Sequence, residues 1–411
     1  MSADQKPAPA RALLALLLLY ALMLPVTAMV PVLAAFTLER YEGLSQFSAH
    51  LFMSASMLGA LLGAPLAGVL SDRTGERKRL AIAALLVNGV ILLLLAWGLK
   101  NALPYALVLG LRFGEGFAHM AALSLLMTLA AEQVSHRGLG ARMGAVGAAI
   151  SLGVATGAPL GGWLGTIEPL LVPAAGGLLS LLLAVLAAFS LSAQARARAR
   201  LDFSALINEL RQRKLLLIPL AFSFADRLTV GFIVSTLALY LRSQLQFEAG
   251  RIGLVMAAFL IPFSLLTWPA GHLSRYWSPL SMLISGSILY GAFLAALVFV
   301  PEGWMLPAMI GGGVIAALMY APSLLLAAEY GGERCRASAL AAFNMAGSLG
   351  FALGPLLSAS LLAGYGQLVA DPYPLVFFSI GMVEVVLALL VLIWWRRQGA
   401  ATQHRSPTLV R

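Results

Sequence analysis

Charge is scarce in this chain. Of its 411 residues only 11% are Asp, Glu, Lys or Arg, and acids are rarer than bases, 17 against 27. A soluble domain carries roughly 25% charged residues, so the usual water-facing surface cannot be built from this composition. Cysteine occurs once, at Cys335, which excludes an internal disulfide framework and a cysteine-based metal cluster. That residue reads as a small buried side chain at a helix start. There is no H-E-x-x-H, no Cys and His pairing and no Gly-rich phosphate loop, so neither a metal site nor a nucleophile constellation is legible. The chain is not read as an enzyme, and no cofactor or metal is expected. What remains is apolar: 60% hydrophobic residues and a mean hydropathy of +0.90. This is the composition of an integral membrane protein, with the lipid bilayer as its partner.

Apolar runs separated by Pro, Gly or charge give approximate spans at 12 to 36, 46 to 70, 80 to 98, 103 to 131, 143 to 167, 170 to 192, 215 to 241, 250 to 270, 279 to 300, 305 to 328, 337 to 363 and 374 to 395. These are twelve candidates near the ~20 residues a helix needs to cross a bilayer. The expected fold class is therefore all-α, twelve transmembrane helices. The net charge of +10 could suggest nucleic acid, but the cations sit in alternate loops. With both termini cytoplasmic, 21 of the 27 Lys and Arg lie on the inner side and four (Arg40, Lys100, Arg242, Arg251) on the outer, leaving Arg112 and Arg227 within spans. Cytoplasmic enrichment of Lys and Arg selects this orientation, in an inner or plasma membrane, with no nucleic-acid partner. Lys6 and Arg11 ahead of an apolar run mimic a cleavable signal. The run continues to Phe36, too long for a signal core, and is read as span one.

The most informative stretch lies between spans two and three, Gly68-Val-Leu-Ser-Asp-Arg-Thr-Gly-Glu-Arg-Lys-Arg79. Gly68 and Gly75 suit close helix approach and a tight reversal, Asp72 sits where one helix ends, and Arg73, Arg77, Lys78 and Arg79 mark the inner face. This resembles the G-x-L-x-D-R-x-G-x-R-x loop of the major facilitator superfamily, where it serves as a cytoplasmic gating loop. The resemblance implies two pseudo-symmetric six-helix bundles with substrate bound between them near mid-membrane. It also implies secondary transport by alternating access, driven by a proton gradient and carried out by a monomer.

Internal repetition fits that architecture. Ser151, Leu152, Gly153 and Gly157 meet Ser348, Leu349, Gly350 and Gly354 at a constant offset, while Gly68, Leu70 and Ser71 meet Gly271, Leu273 and Ser274 at a slightly larger one. Arg275 stands where a second Asp72 would be. The domains expected are an N-terminal bundle (1–192), a basic amphipathic linker on the inner leaflet (193–214), a C-terminal bundle (215–395) and a cytoplasmic tail (396–411).

Ionisable groups inside spans are the candidate working parts, because hydrocarbon makes them costly. Arg112, Glu115 and His119 share one face of span four at i, i+3 and i+7, while Gly110, Gly114 and Ala118 form a small-residue face. Counting along the helix puts Arg112 roughly 13 Å and Glu115 roughly 18 Å deep in a ~30 Å layer. In span seven, Asp226 lies roughly 16 Å deep with Arg227 beside it. Span four resembles the R-x-x-Q-G motif of superfamily antiporters, whose arginine is associated with proton coupling, with Glu115 in place of glutamine. The resemblance implies that Arg112, Glu115, Asp226 and Arg227 face one central chamber, where a carboxylate could exchange a proton for an arginine partner. A static pair holding the bundles in register is the competing reading. His119 and His50 read as hydrogen-bonded core histidines, and Glu384 as a mid-depth group on a peripheral span.

Gly153, Gly157, Pro159, Gly161 and Gly162 in span five resemble the G-x-x-x-G-P-x-x-G-G antiporter signature, with its proline displaced by one residue. Such a run lets helices touch backbone to backbone and bend. Span one resembles the family's first helix at Val30 to Leu33 but carries no acid. Phe36, Phe222, Phe224, Phe232, Tyr240, Phe259, Phe263 and Trp268 are candidate lining aromatics. The function implied is proton-coupled export of small amphipathic or drug-like molecules, as in multidrug efflux. Uptake or efflux of a metabolite or sugar, and lipid flipping, are the alternatives. A sensor would need an appended output module, and only short tails are present.

Overall fold

The structure is a computed structural model that describes residues 9–133, 139–191, 214–274 and 276–403. Arg275 and the linker through residue 213 lie outside them, as do the side chains of Asp72, Cys335 and Trp268. Among the described residues there is no strand. Lipid offers the backbone no hydrogen-bond partners, so each crossing segment must satisfy its own N–H and C=O groups, and a helix does so within one segment.

Eleven of the described helices are long and apolar enough to cross a membrane. Spans two to six are Gln46–Thr74, Arg77–Lys100, Tyr105–Gln133, Leu139–Ile167 and Leu171–Ser190. Spans eight to twelve are Ala249–Leu273, Pro279–Leu297, Met305–Tyr330, Gly332–Tyr365 and Tyr373–Gln403. Two spans are irregular. Span one is broken into Pro9–Ala28 and Leu33–Arg40, with a turn at 29–32 that follows Pro25 and contains Pro31. The apolar run read as one helix from 12 to 36 is therefore two, because a proline cannot supply its backbone N–H to the helix and clashes with the preceding turn. Span seven opens with a short 3-10 turn, runs as Leu217–Phe232, loosens into a π turn at Ile233–Leu237, and finishes as Ala238–Ser243.

The halves repeat in their packing. In the first, Gly153, Gly157 and Gly161 of span five lie against the backbone carbonyls of Tyr20, Leu24 and Ala28 of span one, one glycine per helical turn. In the second, Gly350 and Gly354 of span eleven lie against the carbonyls of Phe224 and Leu228 of span seven. A methyl group at any of these would strike backbone, so the small residues set the interhelix distance.

The two ends of the molecule differ. We call the end carrying the 68–79 loop the basic end and the opposite one the far end. At the far end a single hydrophobic cluster joins both halves, from Met29, Phe52 and Leu95 to Phe232, Leu237 and Ile252. Nearer the basic end the first half has a separate core built around Leu18, Leu126, Val146 and Ala184.

Candidate functional site

In the first half, a buried polar network hangs from span four. Arg112 Nη1 donates to Glu115 Oε2 at 2.7 Å, and both side chains are only 2% exposed. Ser56 Oγ of span two donates to the same carboxylate oxygen at 2.9 Å. Arg112 Nη1 also reaches Met29 Sδ at 3.5 Å, and its guanidinium carbon stands 4.9 Å from the centre of the Phe52 ring. The turn in span one is what brings Met29 there. Gly116 packs onto the backbone of Ser56, while Gly59 and Gly63 pack onto Phe113 and Phe117, so spans two and four are close enough for the serine to reach. Arg112 Nε and His119 Nε2 have no hydrogen-bond partner among the described residues, and His119 is buried within electrostatic reach of both charges.

In the second half the adjacent residues Asp226 and Arg227 part company, since successive helical residues point ~100° apart. Arg227 is half-buried, donates from Nη2 to the Tyr320 hydroxyl at 3.2 Å, and lies 5.1 Å from the centre of that ring. Tyr320 is flanked by Phe263 and Phe343, with ring centres 5.7 and 6.5 Å away, and Phe259 lies 6.3 Å from Phe263. This is a cation set in an aromatic wall. Asp226 is buried and lies instead beside Glu384 of span twelve, with Thr229, Ser287 and Tyr290 around the two carboxyl groups. The common chamber expected for Arg112, Glu115, Asp226 and Arg227 is thus not one cluster: Arg112 and Glu115 pair within the first half, and Asp226 is directed into the body of the second.

The glycine and proline run of span five has two faces. Gly153, Gly157 and Gly161 hold span one, as above. Gly162 and Pro159 lie against Gly253 of span eight, and a Cβ at Gly162 would come 2.5 Å from the Ala249 carbonyl oxygen. Ser264 Oγ of span eight donates to the Ser151 carbonyl of span five at 3.2 Å. At the far end His50 Nε2 and Thr236 Oγ1 are hydrogen-bonded at 2.9 Å, and Arg242 binds Glu39 at 2.8 Å, again from one half to the other.

The 68–79 loop is a tight reversal. Gly75 ends span two with φ of +69°, its N–H donating to the Ser71 carbonyl at 2.9 Å, and Arg77 begins span three. Arg77 Nε donates to Ser71 Oγ at 3.2 Å and Lys78 Nζ to the Ala188 carbonyl at 2.7 Å, while Arg73 is exposed and Arg79 pairs with Glu76. Gly68 meets nothing: a Cβ there has no heavy atom within 4 Å, so the close approach expected of it is absent. The same holds for Gly110 in span four, where Gly116 makes the tight contact instead.

Of the candidate aromatics, Phe222, Phe232, Tyr240 and Phe259 are buried in the core, and Phe36, Phe224 and Phe263 are partly exposed. Sequence reasoning passed over Ser56, Phe52 and Met29 around Arg112 and Tyr320 beside Arg227, and it put Glu384 at mid-depth without joining it to Asp226. Ser56 one helical turn after Phe52 was the available signal for those two, and it was diluted by His50 and Ser54 in the same span. Among the described residues no group of three or more His, Cys, Asp or Glu could hold a metal ion.

Known proteins share this fold. A solved nucleoside transporter, NupG, superimposes with a TM-score of 0.76 over 94% of this chain and 99% of its own, at 15% identity. A bacterial homologue of the human lysosomal transporter Spinster, in an inward-facing and unoccupied conformation, gives 0.73 over 95% and 96% at 15% identity. A D-xylose–proton symporter gives 0.70 over 92% and 95% at 17% identity. In sequence, the 3-(3-hydroxyphenyl)propionate transporter of Escherichia coli (strain K12) is 29% identical over 328 residues, 75% of this chain and 76% of that one. The family model for the Major Facilitator Superfamily matches twice, over residues 15–225 and 220–409, one match for each six-helix half. With two repeated bundles, a tight basic reversal after span two and this double match, the chain belongs to the major facilitator superfamily of membrane transporters.

Proposed function

We propose that this protein is a proton-coupled secondary transporter that exports small amphipathic organic molecules by alternating access. The observation that carries the coupling is the Arg112–Glu115–Ser56 network, a full ion pair held at 2% exposure. Charges inside a membrane protein are costly to keep and are by default functional. Protonation of Glu115 removes the negative partner of Arg112, and a freed guanidinium must find another acceptor. That change gives the two halves a reason to exchange access. The positive-inside rule puts the basic end in the cytoplasm, both termini with it, and makes the far end the outer face. The conformation described is then sealed outside by the His50–Thr236, Glu39–Arg242 and Gly162–Gly253 contacts.

A second reading, uptake of a small aromatic carboxylate with protons, is favoured by Arg227. Its guanidinium stacks on Tyr320 next to Phe263, so a carboxylate could bind the cation while its ring joins the wall. The hydroxyphenylpropionate transporter among the relatives supports that substrate class.

Proteoliposomes separate the two. Given 3-(3-hydroxyphenyl)propionate and a cationic amphipath, accumulation when the lumen is acid marks antiport, and accumulation when the outside is acid marks symport. Glu115→Gln should abolish gradient-driven movement in either case. Full gradient-driven transport by that variant would refute the coupling role of the network.

A further inference from the structure

The carboxyl groups of Asp226 and Glu384 come from spans seven and twelve and lie side by side in the interior of the second half, 7% and 0% exposed. Among the described residues none of their four oxygens has a hydrogen-bond partner in good geometry, although Ser287 and Thr229 stand next to the Glu384 carboxyl. The charged or titratable groups facing them are few. Arg227, next along span seven, turns its guanidinium to Tyr320, and Tyr290 approaches from span nine. The Thr229 hydroxyl is committed to the Asp226 carbonyl at 2.7 Å. The Ser287 and Tyr290 hydroxyls, both fully buried and themselves without a partner, border the pair.

Two ionised carboxylates cannot share such a place. Each would lose its hydration, and each would repel the other at low dielectric. One proton between them removes a charge, turns the repulsion into an acid-to-carboxylate hydrogen bond, and supplies a donor between the two carboxyl groups. We propose that Asp226 and Glu384 form a proton-binding site in the second half, holding one shared proton at neutral pH, separate from the Arg112–Glu115 pair of the first half. The buried hydroxyls of Ser287 and Tyr290 border the oxygens that stay free of the shared proton, and span twelve becomes part of the ionisable machinery rather than a peripheral wall. The site goes beyond the transport reading: it depends on neither the substrate nor the direction of movement, and it holds its proton even if Glu115 proves not to couple.

The test is infrared difference spectroscopy of the full chain in lipid, comparing neutral with strongly alkaline buffer. Wild type should show the C=O stretch of one buried un-ionised carboxylic acid at neutral pH that either Asp226→Asn or Glu384→Gln removes, since each amide supplies the missing donor itself. A wild-type spectrum lacking that band would overturn the proposal without any variant. So would a band that persists in both amide variants, which assigns it elsewhere. Thermal unfolding in sodium against potassium or choline provides the other arm. A sodium-specific rise in stability that either variant abolishes would mean a metal cation, not a proton, occupies the pair.

Discussion

His50 Nε2 and Thr236 Oγ1 sit 2.9 Å apart with one residue in each half, and both side chains are fully buried. Thr236 belongs to the π turn of span seven, so the most irregular backbone in the second half is one of the parts tied to the first. Opening the far end has to break this bond.

Thr236→Val keeps the shape of the side chain and removes the hydroxyl. Losing one net hydrogen bond costs about 1 kcal/mol, or about fivefold in the ratio of closed to open states. Spin labels at Glu42 and Gln367, exposed far-end positions in opposite halves, should report a larger long-distance population by pulsed electron resonance.

Gly162→Leu places a side chain against the Ala249 backbone of the other half, and the expected penalty on the closed far end is about 1–3 kcal/mol. Labelling of a far-end cysteine by a membrane-impermeant reagent should rise. Gly147→Leu on the same helix, where a Cβ meets nothing within 4 Å, should leave it unchanged.

Removing one member of the buried ion pair strands the other. Arg112→Met should destabilise the protein by about 3–5 kcal/mol, and Glu115→Gln added to it should recover most of that loss. Thermal unfolding in detergent reads both.

The Glu39–Arg242 bridge is half-exposed at the rim, with side-chain exposures of 56% and 39%. Glu39→Gln should therefore change stability by less than about 1 kcal/mol, and less still in high salt. A large effect on unfolding temperature would mean that the rim contact, not the buried one, holds the far end shut.

Most spans were legible because hydrocarbon admits so few charges: Arg112, Glu115, Asp226 and Glu384 all stand out in apolar runs. Rotation about each helix axis was not legible. Most of these spans are apolar around their whole circumference, so nothing in the sequence decides whether Asp226 or Arg227 points toward the other half. The packing decides it, through Tyr320 on one side and Glu384 on the other. The same blindness left Glu384 as a bystander, gave Gly110 the close contact that belongs to Gly116, and gave Gly68 one that it does not make. The break in span one had a visible cause in Pro25 and Pro31, and counting hydrophobic length alone concealed it.

The π turn at Ile233–Leu237 stores one surplus residue in span seven. If that slack migrated along the helix, each residue it passed would swivel by ~100°, one residue's share of an α turn. A swivel of that size would swing Thr236 away from His50 without lengthening the span, which makes this helix a latch that can unfasten by slipping a notch.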